Sequence, residues 1–394
     1  MKKLIQPNKY NWPLIDDGIS AADRKKMSEF CLKTKRFTSG EKVEVFEKQW
    51  SNWLGIKYST MVNSGASANF VSIAIVKHLK GLGEIIVPPL GWVTDVSSIV
   101  QLGMTPVFVD ISFENLSITY EKILKAITKK TKAIVLIHTL GFNALNEKIL
   151  KIAKKKNLLL IEDCCEAHGA KYNNKKVGTY GDLSLFSFYF GHHMTTIEGG
   201  MVCCNDNKLQ ELSKMFRSHG MIRETSIKTK KDYAIKYPYL NPLFTFGVAG
   251  FNFRSTELNA VLGINQLKKL DGKIELRKKN LSLWLKYLNP NIFYINFNIK
   301  GNSNFALPLV LRNKDKFLFK NILQLLKTNN IEYRVGTAGG GGQHIQPYLE
   351  KFKTKKKYTL PNTIHIHFFA LYIGNHPKLT KSMIMKLAKQ LNNV

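Results

Sequence analysis

The chain has 394 residues, 44% hydrophobic and 22% charged, a balance that excludes a disordered segment and makes a large packed unit with a smaller companion the expectation. Its 59 basic and 28 acidic residues leave a formal charge of +31, yet only eight of the basic residues are arginines and the other 51 are lysines spread along the chain. Nucleic-acid or anionic-membrane binding would gather arginines beside aromatic residues, so neither partner is expected and an anionic small molecule is favoured.

No apolar run approaches the roughly 20 residues of a membrane span. The opening MKKLIQPNKYNWPLIDDG has no signal-peptide core, which makes a cytoplasmic protein the expectation. The five cysteines, Cys31 and the adjacent pairs Cys164/Cys165 and Cys203/Cys204, are too few and too badly placed for a disulfide framework or a metal knuckle.

In chain order, an N-terminal arm over residues 1–30 precedes a large domain over 31–275 and a smaller one over 276–394. GEIIVPP, TPVFVDI, KAIVLIHT, NLLLIED, LSLFSFY and GGMVCC predict strands. YEKILKAITKK and EKILKIAKKK carry apolar residues three and four apart, as helices lying on a sheet do. The alternation predicts an α/β fold with a large, mainly parallel sheet. A long helix is predicted from Ser255 to Leu285. The strand FALPLVL, the helix DKFLFKNILQLLKTN, the strand IEYRV and a closing helix from Leu379 to Leu391 then predict a small α+β domain. GTAGGGGQ, with four consecutive glycines from Gly339 to Gly342, predicts a loop suited to a flap or to close approach to a ligand. The lysine runs KTKKD and KFKTKKK predict solvated loops.

Four residue patterns suggest chemistry. NSGASAN, at 63–69, precedes an apolar helical run, so Gly65, Ala66 and Ser67 can turn backbone N–H groups toward an anion at a helix N-terminus; an ordinary cap by Ser64 is the competing reading. Asp163 closes the strand NLLLIED, at the carboxyl end where open α/β sheets place ligands, unless it caps a helix. Trp92 follows a Pro-Pro-Leu-Gly loop and either stacks on a flat ring or packs a core. His192 and His193 can move protons near neutral pH or form a buried pair. A metal is not expected there, since no acid or thiol stands at useful spacing.

Together NSGASAN, GWVTDV (91–96), IEDCCEAHGA (161–170), FSFYFGHHMTTIEGGMV (186–202) and AGFNFRSTELNAVLG (249–263) resemble, in that order, the vitamin B6-dependent nucleotide-sugar aminotransferases of the DegT/DnrJ/EryC/StrS type. The resemblance extends from about residue 30 to 380 and implies the fold of aspartate aminotransferase. It further implies that Gly65, Ala66, Ser67 and Ser187 hold the cofactor phosphate, that Trp92 lies on the pyridine ring, that Asp163 pairs with the ring nitrogen and that Glu166 meets the 3-hydroxyl. Asn252 would reach the phosphate of a neighbouring subunit, implying a homodimer; capping of the following helix is the alternative.

One position departs from the aminotransferases. Where they carry the lysine that bonds covalently to the cofactor, this chain has His192, and no lysine occurs between Val177 and Asn207. An imidazole cannot form that bond. A Lys-to-His exchange is similar to the family's sugar 3-dehydratases, which keep the cofactor as pyridoxamine 5'-phosphate. One branch needs an iron–sulfur cluster on four late cysteines; none follows Cys204, so no cluster is expected. The other branch deoxygenates a GDP-linked 4-keto-6-deoxymannose, and SHGMIRE (218–224) and YIGNHP (372–377) are similar to it. The resemblance implies that His192 takes a proton from the cofactor's C4′ and assists departure of the sugar's 3-hydroxyl, and that L-glutamate converts pyridoxal 5'-phosphate back to the amine. An aminotransferase anchored by a distant lysine and a cofactor-binding homologue without turnover are the competing readings.

Overall fold

A computed structural model describes residues 10–15, 18–352 and 358–394. The first nine residues of the expected N-terminal arm and most of the KFKTKKK run lie outside them.

The first half supplies strands β1 (Tyr58–Val62), β2 (Glu84–Val87), β3 (Thr105–Phe108), β4 (Thr131–Ile137) and β5 (Leu159–Asp163). A short ribbon, β6 (Lys171–Tyr172) with β7 (Lys175–Lys176), separates these from β8 (Leu183–Ser187) and β9 (Gly200–Cys204). Seven of the strands form one sheet in the order β1-β9-β8-β5-β4-β2-β3. The pairs β2–β3, β2–β4, β4–β5 and β5–β8 are parallel, whereas β9 runs antiparallel to both its neighbours. The sheet is buried on both faces. Along β4, Ile134 and Leu136 enter one core while Ala133, Val135 and Ile137 enter the other, so a two-sided strand reads as one continuous apolar run. Helix Glu147–Lys155, capped by the Asn146 side chain, buries Ile149, Ile152 and Ala153 and leaves its lysines to solvent.

The C-terminal part holds an antiparallel sheet β10-β12-β11, made of β10 (Ala306–Val310), β11 (Tyr333–Val335) and β12 (Ala370–Gly374). Its residues Leu309 and Ile373 belong to the same hydrophobic cluster as Ile134 of β4. No helix among the described residues is long and apolar enough to cross a membrane.

Three expectations need correction. The single helix over 255–285 is two, Glu257–Leu267 and Leu270–Tyr287, because Lys269 N turns back to Gln266 O at 3.1 Å and tightens the chain between them. The lysine run KTKKD, expected as a solvated loop, lies within helix Ile227–Lys236. The glycine tract is not wholly loop, since Thr337–Gly340 closes one helical turn. Gly336, Gly339, Gly340 and Gly341 all have φ between +61° and +92°, a region glycine enters at little cost.

Candidate active site

The cradle forms where helix Gly65–Lys80 begins. Ser64, in extended conformation, accepts a hydrogen bond from Ser67 N at 3.0 Å, so the cap reading of Ser64 is correct as far as it goes. The Ser67 hydroxyl is held by Asn63 Oδ1 at 2.5 Å. The first-turn N–H groups of Gly65 and Ala66 have no acceptor within the helix, and they remain for a bound anion. Ser187, which closes β8, lies directly against this turn: a Cβ placed on Gly65 would stand 2.6 Å from the Ser187 Cβ.

Asp163 closes β5 and is 5% exposed. Its Oδ1 accepts from Cys165 N at 2.9 Å and its Oδ2 from the Asn69 amide at 3.5 Å, and it caps no helix. Glu166 accepts from Leu140 N at 2.7 Å. Burial pushes the Glu166 carboxyl up to about 7 against that hydrogen bond, and the Asp163 charge adds to the rise. Near neutral pH Glu166 can therefore donate or accept a proton. Trp92 is 62% exposed, which removes the core-packing reading. Gly339 of the glycine tract backs onto it; a Cβ there would come within 3.0 Å of the Trp92 ring.

The two adjacent histidines have different environments. His193 is 1% exposed; its Nε2 meets Ser303 O at 3.2 Å, while its Nδ1 has no partner among the described residues. His192 is half-buried, and its Nδ1 has no hydrogen-bond partner among the described residues. Its ring centre lies 5.4 Å from that of Phe305 and 6.1 Å from that of His168. Burial and the nearby Arg277 charge push the His192 imidazole down to about 3, which keeps it neutral at pH 7, with a ring nitrogen free to take a proton, but makes it a weaker base than an exposed histidine. His192 also borders a cavity of about 300 Å³ with Lys269 and Lys273 from the start of the long helix; Trp92, Asp163, Glu166 and Ser187 do not border it.

Asn252 stands apart from these residues. It is exposed, its backbone bridges to Ser218, and the next residue accepts a hydrogen bond from Asn63 N at 2.9 Å, so the segment runs beside the cradle. The following helix is capped by Thr256, which rules out Asn252 as its cap. Phe244 and Phe246 nearby are 60% and 53% exposed.

Two contributors were not legible beforehand. Tyr372 of β12 lies close enough to Glu166 for that charge, after burial, to push its phenol upward, and its ring meets Phe305 at 6.2 Å. The YIGNHP segment was its only signal. Asp95, in the first turn of the helix after Trp92, is buried close enough to Asp163 for that charge to push its carboxyl upward, after burial itself.

A mainly parallel sheet with a helix N-terminal cradle, a carboxylate closing its central strand and an exposed indole is the arrangement of a vitamin B6-type enzyme: it offers N–H groups to a phosphate, a carboxylate to a ring nitrogen and a flat face to a ring. Residues 19–392 match the DegT/DnrJ/EryC1/StrS aminotransferase family, to which the chain belongs. The GDP-4-keto-6-deoxy-D-mannose 3-dehydratase of Escherichia coli O55:H7 is 31% identical over 372 residues, 93% of this chain and 95% of that protein. GDP-perosamine synthase of Escherichia coli O157:H7 is 32% identical over 277 residues, 70% of this chain and 71% of its own. The solved structure of the E. coli dehydratase with bound hydrated PLP superimposes with a TM-score of 0.89 at 30% identity, covering 97% of this chain and 99% of that one. The chain is thus an enzyme of a pyridoxal phosphate-dependent, sugar-modifying family.

Proposed function

We propose that the enzyme removes the 3-hydroxyl of a nucleotide-linked 4-keto-6-deoxy sugar, GDP-4-keto-6-deoxy-D-mannose, using pyridoxamine 5'-phosphate restored by L-glutamate. The observation that carries the reading is His192: a neutral imidazole with an unpartnered Nδ1, in the motif position where the family's aminotransferases have lysine.

The cofactor, when bound, supplies an amine for the 4-keto carbon and a ring that stores electrons. In the proposed assignment Gly65, Ala66, Ser67 and Ser187 hold its phosphate, and Asn252 of a second subunit completes that contact. Trp92 covers one ring face and excludes water from it. Asp163 opposes the positive charge at the ring nitrogen, and Glu166 hydrogen-bonds the ring oxygen. His192 accepts the proton from C4′ and returns one to the departing C3 hydroxyl, so that it leaves as water. With residues 31–275 taken as the large domain and 276–394 as the small one, helix Leu270–Tyr287 links the two.

A second reading, an aminotransferase, is favoured by one feature: Lys269 and Lys273 border the same cavity as His192. Borohydride reduction followed by peptide mapping separates the two, because a phosphopyridoxyl-lysine peptide would overturn the dehydratase assignment. Incubation with pyridoxal phosphate, L-glutamate and GDP-4-keto-6-deoxymannose should give a sugar product that has lost its 3-hydroxyl oxygen by mass spectrometry; an aminated sugar that retains that oxygen would reverse the assignment.

A further inference from the structure

Asp95 belongs to the GWVTDV segment but has no place in the assignment above. It sits in the first turn of helix Thr94–Gln101, three residues after Trp92, whose carbonyl accepts its N–H at 3.1 Å. It is 2% exposed, and Asp163 is 5% exposed. The two carboxyls are close neighbours in this buried region, and the Asn69 amide donates to Asp163 Oδ2 at 3.5 Å. Asp95 Oδ1 is buried with no partner among the described residues. Gly91 allows the fit, since a Cβ there would stand 2.8 Å from Asp95 Oδ2 and 2.4 Å from Ile137 Cδ1.

Two neighbouring carboxylates in a dry site repel each other strongly, which favours one proton held between them. The titratable groups facing Asp95 are Asp163 on β5, Cys165 and Glu166 in the turn after it, and Tyr348 from the 347–352 turn. Each of these becomes an anion on losing its proton, so none favours a negative charge on Asp95. Burial and the neighbouring Asp163 charge both push the Asp95 carboxyl well up, which places the shared proton on Asp95.

We infer that Asp95 is a positioning residue for Asp163: as a neutral acid it donates a hydrogen bond to that carboxylate, fixes its orientation and weakens it as a proton acceptor toward the cofactor ring nitrogen. The site then presents one negative charge to the ring rather than two, and the proton between Asp163 and the ring stays on nitrogen, where it makes the ring an electron sink. The inference rests on the reading of Asp163 as the ring-nitrogen partner.

The test loads wild type, Asp95→Asn, Asp95→Ala, Asp95→Leu and Asp163→Asn with pyridoxal phosphate labelled at the ring nitrogen and records its ¹⁵N chemical shift and the cofactor absorption spectrum. Wild type and Asp95→Asn, which keeps a donor, should show a pyridinium shift. Asp95→Ala should move toward neutral pyridine, and Asp95→Leu supplies the same loss of donor in a filled site if the alanine variant does not fold. A pyridinium shift in the donor-less variants would overturn the role of Asp95 while leaving Asp163 in place. No change in Asp163→Asn would instead overturn the placement of the ring itself. As a check without cofactor, Asp95→Asn should gain melting temperature relative to wild type as pH rises, because a raised carboxyl binds its proton more tightly in the folded chain; a pH-independent difference would refute the shared proton.

Discussion

A methyl group at Gly65 tests the cradle directly. In Gly65→Ala the new Cβ would stand 2.6 Å from Ser187 Cβ, 3.0 Å from its Oγ and 3.3 Å from its Cα, so the clash is with the root of a short side chain. β8 cannot give way easily, because it pairs with β5 on one side and β9 on the other. The helix terminus must move instead, carrying the N–H groups of Gly65 and Ala66 away from the anion position. Overpacking of this kind costs about 1–3 kcal/mol of stability. A hydrogen bond to a charged group is worth about 1.5–3 kcal/mol, so losing one weakens cofactor binding roughly 10- to 150-fold. If the cofactor is held without a covalent link, as proposed from His192, that loss appears in full in an equilibrium titration with pyridoxal phosphate. Gly272→Ala is the control: it lies in helix Leu270–Tyr287 with no atom within 4 Å of the added Cβ, and should stabilise the apo protein by about 0.5–1 kcal/mol without changing cofactor affinity. Wild-type affinity in Gly65→Ala would refute the cradle.

Three further outcomes are expected. His192→Asn should bind cofactor nearly as well as wild type and lose about 10²–10⁴-fold in turnover; an unchanged rate would put the base elsewhere. Glu166, raised from 4.5 to about 7 by burial, holds its proton more tightly folded than unfolded, so its contribution is full below about pH 4.5 and is lost as pH rises through about 7, up to ~3 kcal/mol. Glu166→Gln should therefore gain on wild type in urea midpoint between about pH 5 and pH 8, and a constant difference would refute the raised carboxyl. Mixing His192→Asn chains with Asn252→Ala chains should recover one working site per heterodimer if Asn252 serves the partner's cradle; no recovery, or an active monomer on sizing, would reject the shared site.

What could be read of the fold follows from how each element is buried. β4 and β5 were legible because a strand covered on both faces must be apolar at successive positions. β1 escaped because Ser59 and Thr60 interrupt its apolar run. Both are buried, and they are satisfied by side chains elsewhere, Ser59 by Ser51 at 2.7 Å and Thr60 by Gln210 at 3.0 Å. The break between the two helices after Thr256 was hidden for a related reason. Gln266 there donates to Gly18 O at 2.7 Å and to Asp23 at 2.9 Å, so an early segment of the chain grips the helix where it ends.

The site divides the same way. The cradle, its cap Ser64 and its brace Asn63 lie within seven successive residues, and Asp163 ends the strand that announces it, so local sequence carries them. Asp95 reads locally as the start of a helix; only the tertiary fold brings it beside Asp163 at the end of β5. Gly339 and Tyr372 reach Trp92 and Glu166 from the C-terminal part, and no local periodicity marks a contact between segments so far apart. His192 shows both sides of this. Its identity was legible as an exchange within a motif, but its lowered basicity depends on burial beside Phe305 and His168 and on the charge of Arg277. Those three residues come from three different segments. Replacing Arg277 or Phe305 would change the basicity of the imidazole without touching the motif that names it.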